Sequence, residues 1–596
     1  MYVKRGILFM LKKKFTSISA SQISLIFIGL MFFLPFINMH HMQPLPVFYS
    51  EWIAAVFGLV AMLSLLSKNS LQHLRIPQIS LIFIGLAAIL CIQWALGMLQ
   101  SNQYALLALS YLIWAFLLAV VGSHLRRELG LDKLISTLAW CLVVAGVINA
   151  AIVVLQFVVR TGGVISFLPS LSSYGALAQS NHFADFCALA TASLIYLYAK
   201  ERFSSSLFYL MLVSFIVMLS FSGSRSVWLY LAALTVFLLI MHTKAVKQDG
   251  DSIATHRAYR AGLLLLPLFV IVQIFIHFVI PNEYVALPTE RLLDGAIAST
   301  SSLRLHFWYD SLRIFSQSPW LGVGVGKFTA NTFLLVDTPT AMATKRVFEH
   351  AHNLFFHLLA EMGVGGVLIV LVGLFAWIKS FNWRALDLET WWLISLLAII
   401  GIHSMLEYPV WFTFFLGIVA VLLGAGEEKF FSIYYSQARY QFIRAGMTML
   451  LMLGLLNLGT LLVANVKLEA WLQKLVNEDV NDLAHLVWVQ QNSLLSPYGQ
   501  FMQVLTMSVN AQHLNNNLAL SQAVMNFKPI GIATYKHALL LELKGQNTDA
   551  ATQFNRAVIA YPNAFKAVLE NAPADYKKNY LNMYEVQLAA TNKTNK

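Results

Sequence analysis

Long apolar runs recur along the chain from near Ser21 to about Ala464, and polar connections separate them. A helix needs about 20 predominantly apolar residues to cross the hydrocarbon core of a bilayer. The runs therefore predict about thirteen membrane-spanning helices and an all-α, polytopic fold. The predicted spans are residues 21–38, 51–67, 78–98, 104–122, 134–158, 183–199, 206–220, 226–242, 261–280, 352–378, 390–404, 410–424 and 445–465.

Beyond about Lys467 the chain becomes polar and rich in Asn and Gln, with no further apolar run long enough to cross a membrane. This change predicts two domains. Residues 1–465 form the transmembrane domain, which includes a large external loop at 281–351. Residues 466–596 form a soluble helical domain.

One stretch of this second domain, from His537 to Pro562, has helical spacing on either side of Gly545. Its later apolar positions match those of a tetratricopeptide repeat, namely Ala550, Phe554 and Ala557. An ordinary helical hairpin explains the pattern equally well, because repeat solenoids need about three repeats to bury a continuous core.

Composition excludes a soluble enzyme. Of the 596 residues, 58% are hydrophobic and 11% are charged, whereas soluble domains contain roughly 45–50% apolar and about 25% charged residues. The net charge of +12 is concentrated in short connections between apolar runs, so it indicates orientation rather than nucleic-acid binding. Cys91, Cys141 and Cys187 all fall inside apolar runs and predict no disulfide framework.

Basic residues cluster in every second connection between the predicted spans. The positive-inside rule places these connections in the cytoplasm. With the N-terminus inside, an odd number of spans places the C-terminal domain outside. The basic clusters include Lys68 with Arg75, Arg126 with Arg127, Lys200 with Arg202, Lys244 with Lys247, Lys379 with Arg384, and Lys429 with Arg439. The connections then expected on the outer side are 159–182, 221–225, 281–351 and 405–409.

Two arginines in these outer connections are candidates for binding phosphate. Arg304 lies in a segment that reads as a helix capped near Ser301, and Arg225 stands at the outer start of another span. A guanidinium remains charged and presents planar donors that match phosphate oxygens. An arginine that extends its side chain to the lipid headgroups is the alternative.

The His350-Ala351-His352-Asn353 segment lies at the outer boundary of a predicted span. Neutral imidazole accepts a proton near physiological pH, so one of these histidines is a candidate base. Two residues apart, the histidines would point in different directions on a helix, which argues against a shared metal. A histidine bonded to a headgroup or to the backbone is the alternative.

Further polar groups converge on the same face. Asn181 and His182 begin one span, and the segment with His403, Glu407 and Tyr408 ends another. Polar groups at membrane depth usually line a cavity or pathway, and arginines beside histidines would suit a pyrophosphate. Asp185 and Glu361 lie within predicted spans and need partners.

Two other motifs are weaker. The alternating glycines between Pro319 and Phe328 predict a tight turn rather than a nucleotide site, since no strand–turn–helix unit surrounds them. His40, His41 and Glu51 would be external and able to bind a metal, whereas Asp249-Gly250-Asp251 reads as a solvated cytoplasmic turn. We favour arginines over a metal ion, and we expect no cofactor.

Together these motifs resemble the bacterial O-linked oligosaccharyltransferases of the pilin-glycosylase (PglL-like) type, within the O-antigen ligase superfamily. The resemblance covers most of the membrane domain. No single motif is specific to the family, but the set of motifs is. The set consists of Gln179 to His182, Gly223 to Arg225, the Arg304 helix, the turn from Pro319, His350 to Asn353, and His403 to Pro409. Pro44-Leu45-Pro46 with Phe48 and Glu51 also looks like the first external loop of the protein-glycosylating branch.

The resemblance implies a GT-C-like bundle in the bacterial inner membrane, with its active site at the periplasmic face. It implies transfer of a preassembled glycan en bloc from undecaprenyl pyrophosphate to Ser or Thr hydroxyls of pilins or other periplasmic proteins, without a metal. His352 matches the family's loop histidine and would act as the base, while Arg225 and Arg304 would hold the pyrophosphate. Supporting roles then fall to Asn181, His182, His350, Asn353, His403, Glu407 and Tyr408.

Rival functions share much of this pattern. An O-antigen ligase would use a similar donor and a sugar hydroxyl on lipid A core as the acceptor, and a glycan polymerase is a third possibility. A lipid or solute transporter would also contain many spans with internal polar groups. The external helical domain would recruit acceptor proteins in the oligosaccharyltransferase.

Overall fold

The structure is a computed structural model of the chain. It describes residues 18–66, 72–160, 174–177, 179–247, 253–281, 284–293, 296–338, 347–381, 383, 386–476, 483–570, 577, 581 and 584. The predicted features at Lys68, at Asp249 to Asp251 and at Arg384 lie outside these residues.

The membrane domain consists of helices of widely different length. In chain order they are α1 (Ala20–Met31), α2 (Phe48–Leu66), α3 (Leu81–Ala95), α4 (Asn102–Leu129), α5 (Leu131–Arg160), α6 (Ser180–Ala199), α7 (Ser205–Phe221), α8 (Val227–Lys247), α9 (Ile253–Val279), α10 (Pro288–Leu293), α11 (Ala296–Gln317), α12 (Phe328–Leu335), α13 (Leu354–Ser380), α14 (Leu388–Ser404), α15 (Thr413–Gly426) and α16 (Gln437–Val476). Strand β1 (His73–Pro77) pairs with β2 (Phe430–Tyr434) in an antiparallel ladder.

Among the described residues, ten helical segments are long and apolar enough to cross a membrane, and three shorter apolar helices accompany them: α7, α14 and α15. Each of the thirteen predicted spans overlaps one of these segments. The chain is thus a polytopic, all-α membrane protein. The shorter helices reflect the polar residues that interrupt their apolar runs, such as Glu407 between α14 and α15.

Close contacts between helices depend on small residues. Gly122 of α4 lies against the backbone of Val421 in α15, and Gly424 of α15 lies against the backbone of Ala119 in α4. A side chain at either glycine would push the two helices apart. Helix α6 occupies the centre of the bundle, where nearly all of its residues are buried.

The basic connections meet at one end of the bundle. Arg126 pairs with Glu428 at 2.6 Å, and Arg257 pairs with Glu201 at 2.6 Å. The β1–β2 ladder joins the basic connection between α2 and α3 to the one between α15 and α16. The connections predicted to lie on the outer side contact one another through Asn181, His352 and Glu407, and the side of the membrane that they face stays a prediction.

The C-terminal part of the chain is helical. Its helices are α17 (Ala484–Asn492), α18 (Ser496–Thr506), α19 (Leu514–Phe527), α20 (Ile532–Leu543), α21 (Asn547–Ala560) and α22 (Phe565–Glu570). Gly545, with φ of +83°, forms the turn between α20 and α21 at the predicted position. The structure confirms the helical hairpin, and its identification as a tetratricopeptide repeat stays a prediction.

Salt bridges join these C-terminal helices to the long connection between α9 and α13. Arg556 contacts Asp337 at 2.9 Å, and Lys528 contacts Glu349 at 2.8 Å. Val336 of the connection also packs against Ile559 of α21. Lys528 therefore contacts a residue directly before His350.

Candidate active site

Glu407 is the point at which connections predicted to lie on the outer side meet. Its Oε2 lies 2.8 Å from His352 Nδ1, and its Oε1 accepts a hydrogen bond of 3.0 Å from Asn181 Nδ2. An Arg304 guanidinium nitrogen lies 3.9 Å from the same Oε1. Four predicted site residues from four separate parts of the sequence thus form one constellation.

Local backbone structure positions His352. Asn353 caps α13, its Oδ1 accepting from the backbone N–H groups of Phe355 and Phe356, and its Nδ2 donates to the Met405 carbonyl at 3.2 Å. His352 stands just before this cap with φ of +51°, a conformation that L-residues seldom adopt. His352 therefore lies outside the helix, and the structure fixes its ring beside the turn that carries Glu407.

The carboxylate is held from the other side by α6. Ser224 Oγ donates to Asn181 Oδ1 at 2.8 Å, which leaves the Asn181 amide N–H₂ directed at Glu407. The Glu407 backbone N–H donates to the His403 carbonyl at 2.7 Å, so the turn is an extension of α14. A carboxylate fixed in this way selects the tautomer of His352 in which Nδ1 carries the proton and Nε2 is free to accept one.

Arg304 lies beside this carboxylate, and Arg225 lies near both Arg304 and Arg291. Burial lowers the pKa of Arg225, and the positive charges of Arg304 and Arg291 lower it further, which indicates that the three guanidinium groups are close. Arg291 donates a hydrogen bond of 3.3 Å to the Gly223 carbonyl. A cluster of like charges that is only partly offset by Glu407 attracts an anion with several oxygens, such as a pyrophosphate.

Sequence reasoning missed Arg291. It lies in the short helix α10, which has no motif of its own, and the only signal was its place in the long connection between spans. The helix that carries Arg304 was predicted to begin near Ser301, but α11 begins at Ala296. Alanines at its start favour helix and extend it beyond the predicted cap.

His350 and His352 both contact the ring of Tyr408. The His350 ring stacks on Tyr408 with centroids 4.0 Å apart, and the His352 ring meets the same phenol edge-on at 5.4 Å. Burial lowers the pKa of His350 well below its ordinary value, with further contributions from His357, His352 and Lys528. Burial and the charge of Glu407 raise the pKa of Tyr408 to about 12, so both rings are neutral at pH 7.

Two of the predicted supporting histidines lie deeper in the bundle. His403 Nδ1 contacts Asp185 Oδ2 at 2.8 Å, and both side chains are fully buried. The His182 ring packs 4.8 Å from that of Phe412 and 5.6 Å from that of His403. The structure therefore does not bring them to the Glu407 constellation, although it supplies the partner that Asp185 required.

Glu361 also has partners in the structure. It contacts His357 Nε2 at 3.3 Å and accepts from the backbone N–H of Phe328 at 3.0 Å. The predicted glycine turn lies against it, since the backbone of Gly322, with φ of +69°, packs on the Glu361 backbone. These contacts lock the turn before α12 onto α13 beneath the candidate site.

The candidate metal ligands of the first outer loop point to different partners. His40 contacts Glu469 at 3.5 Å, and the ring nitrogens of His41 lie at the carbonyls of Pro46 and Ala176. Glu51 accepts from the Tyr111 hydroxyl at 2.5 Å. In the part of the chain that the structure describes, these three side chains do not form a common site.

Two family models match the chain. The family described as "O-Antigen ligase" matches residues 209–371, which include the three arginines and His352. The family described as "Virulence factor membrane-bound polymerase, C-terminal" matches residues 391–573, which include Glu407.

Two curated proteins of Acinetobacter baylyi are also similar to the chain. The General O-oligosaccharyltransferase is 24% identical over 407 residues, which are 66% of this chain and 67% of that protein. The ComP-specific O-oligosaccharyltransferase is 23% identical over 379 residues, which are 63% of this chain and 66% of that protein. The match thus spans about two thirds of each relative. The chain is thus similar to the O-antigen ligase family over residues 209–371 and is distantly related to the two O-oligosaccharyltransferases of Acinetobacter baylyi.

Proposed function

We propose that this protein is an O-oligosaccharyltransferase that moves a preassembled glycan from undecaprenyl pyrophosphate to Ser or Thr hydroxyls of pilins or other periplasmic proteins. The observation that carries the proposal is the contact of 2.8 Å between His352 Nδ1 and Glu407 Oε2, beside three arginines. A base and a polycationic anion site are the two features that such a transfer requires.

In the proposed reaction the acceptor hydroxyl approaches His352 Nε2. The hydroxyl oxygen forms a bond to the anomeric carbon of the glycan as the bond from that carbon to the pyrophosphate oxygen breaks. The proton passes to Nε2, and Glu407 stabilises the resulting imidazolium through Nδ1–H. The displaced electron pair remains on undecaprenyl pyrophosphate, whose growing charge Arg225, Arg291 and Arg304 balance. A direct displacement of this kind inverts the anomeric centre.

The choice of a protein acceptor is supported by the names of the two relatives and by the helical domain that is joined to the loop of the site. Salt bridges from Lys528 and Arg556 hold this domain next to the segment that leads to His350. In the proposal, the site faces the periplasm, the protein resides in the inner membrane, and exposed apolar side chains between the spans hold the polyprenyl chain.

Intact-protein mass spectrometry tests the proposal. The chain is expressed with a lipid-linked glycan and a candidate pilin, and periplasmic proteins are compared with and without the chain. We expect a mass increase of one whole glycan on a protein. Glycan on lipid A core alone would instead identify an O-antigen ligase, as the matched family's description favours. Longer lipid-linked glycan would identify a polymerase.

A further inference from the structure

A groove lies between the C-terminal helices and the connection that leads to the candidate site. Its volume is about 790 Å³, and α19, α20 and α21 form three of its sides. Helix α12 of the long connection forms the fourth and contributes Leu334, which is half exposed. None of the residues placed in the proposed reaction lines this groove.

Side-chain amides make up half of the residues in the groove wall that α19 contributes. Asn515, Gln522 and Asn526 of α19 line the groove, and all three are exposed. Among the described residues their amide groups make no hydrogen bond to the protein. Because they are seven and four residues apart, they lie on one face of the helix, separated by roughly 10 Å and 6 Å along its axis.

An extended polypeptide matches this wall. Each amide offers both a donor and an acceptor, as a peptide group does. In an extended chain, peptide groups that face the same side recur about every 6.6–6.8 Å, which is close to the separation of Gln522 and Asn526. Main-chain hydrogen bonds of this kind bind many sequences, and apolar side chains beside them, here Leu334 and Leu518, add pockets for side chains.

A carbohydrate is a poorer match. Sugar-binding surfaces usually present the exposed face of an aromatic ring to the sugar. Among the described lining residues, Phe333 is the one phenyl, indole or phenol ring, and it is only 2% exposed. The His537 ring is buried and bonded through Nδ1 to Ser521.

The groove is also connected to the site. Thr332 of α12 donates to the Phe348 carbonyl at 3.0 Å. The Phe348 ring packs on Phe307 at 3.9 Å, and Phe307 packs on the His352 ring at 5.2 Å. A chain held in the groove would thus lie against α12, which is hydrogen-bonded to the segment that carries the proposed base.

We propose that this groove binds an extended segment of the acceptor polypeptide by its backbone, next to the Ser or Thr that receives the glycan. The inference rests on the proposed function for its biological role, but the binding of an unfolded polypeptide can be measured without any transfer.

Photo-crosslinking tests binding directly. In the full chain in detergent, benzoylphenylalanine replaces Thr552, which lines the groove, or its exposed neighbour Ala551, which does not. The probe is fluorescent, reduced and carboxymethylated lactalbumin, a permanently unfolded polypeptide. We expect at least fivefold more crosslink from position 552 than from position 551. Equal yields would overturn the inference. A yield abolished by a soluble oligosaccharide would also overturn it, as would a crosslink from 552 to the chain's own C-terminal segment.

Transfer kinetics supply the second test. We expect the double variant Asn515→Ala/Gln522→Ala to raise KM for the protein acceptor at least fivefold with little change in kcat. The control Gln512→Ala/Asn516→Ala, which removes two exposed amides outside the groove, should behave as the parent. A higher KM for the lipid-linked donor alone would assign the groove to glycan and overturn the inference. If the parent transfers glycan to no protein while position 552 still crosslinks, the proposed function fails and the polypeptide groove stands.

Discussion

Two histidine–carboxylate pairs in this molecule have the same geometry and different surroundings. His352 Nδ1 lies 2.8 Å from Glu407, and His403 Nδ1 lies 2.8 Å from Asp185. The His352 side chain is 26% exposed, whereas both members of the second pair are 0% exposed. A hydroxyl group from solvent or substrate can reach the first imidazole but not the second. The distance between the two side chains therefore does not identify a catalytic pair. The feature that distinguishes the pairs is whether a substrate hydroxyl can reach the imidazole.

The two pairs also differ in their neighbours. Glu407 has Asn181 and Arg304 beside it, and the arginine belongs to a cluster of three. The pair of Asp185 and His403 lies among aromatic rings, with His182 and Tyr230 near His403. Cations near the first pair suit it to anion chemistry, while the second pair joins α6 to α14 within the bundle.

Removing the exposed imidazole should have the largest effect. In His352→Ala, transfer should fall about 10²- to 10⁴-fold, the usual contribution of a positioned general base, while the amount of protein in the membrane stays unchanged. Rates are measured as glycan-modified acceptor per folded molecule. Undiminished transfer would contradict the assignment of the base, and a transporter in which His352 is merely interfacial would retain its transport.

The arginine cluster should give the next largest effect. Arg225→Lys, Arg291→Lys and Arg304→Lys keep the charge but lose the planar fork, so each should weaken use of the lipid-linked donor roughly ten- to a hundredfold. The readout is kcat/KM for the donor. Arg313→Lys is the matched control, because Arg313 lies on the same helix as Arg304 but donates to Thr338. Full activity in all three variants would contradict pyrophosphate binding.

Replacing the carboxylate of each pair should affect transfer in one case and stability in the other. Glu407→Gln loses the charge that stabilises the His352 imidazolium, and we expect transfer to fall about tenfold, as for the loss of roughly 1.4 kcal/mol. Asp185→Ala leaves His403 without its buried partner and should cost about 1–3 kcal/mol of stability. Its transfer rate per folded molecule should stay within about twofold. For each variant, the transfer rate and the midpoint of thermal aggregation are measured. If Asp185→Ala lost transfer and Glu407→Gln lost only stability, the roles of the two pairs would be reversed.

The spans were predictable, and the polar contacts were predictable only in part. Bilayer thickness fixes the length of an apolar run, so local composition located a helix at each of the thirteen predicted positions, ten of which are long and apolar enough to cross a membrane. Arg304 was proposed from its guanidinium in a long connection between spans, whereas His352 was chosen over His350 only through the resemblance to the family's loop histidine. The partner of Asp185 was not predictable, because a pairing across 218 positions depends on how α6 packs on α14. Arg291 was missed for the same reason, since only the folded connection brings α10 to the turn before α8.

The smallest effect should come from His350, which lies beside the exposed pair but is buried. Its pKa lies below the ordinary value of about 6.5, so the folded protein binds fewer protons than the unfolded chain. The stability that this adds is complete above pH 6.5 and is lost as the pH falls, by up to about 1.4 kcal/mol per unit. The positive charge of Lys528 and the imidazoles of His352 and His357 act in the same direction. Thermal midpoints between pH 7.5 and 5 should therefore fall less in His350→Gln than in the parent. Parallel curves would mean that the pKa of His350 is the same in the folded and the unfolded chain, which would contradict an effect of burial on this imidazole.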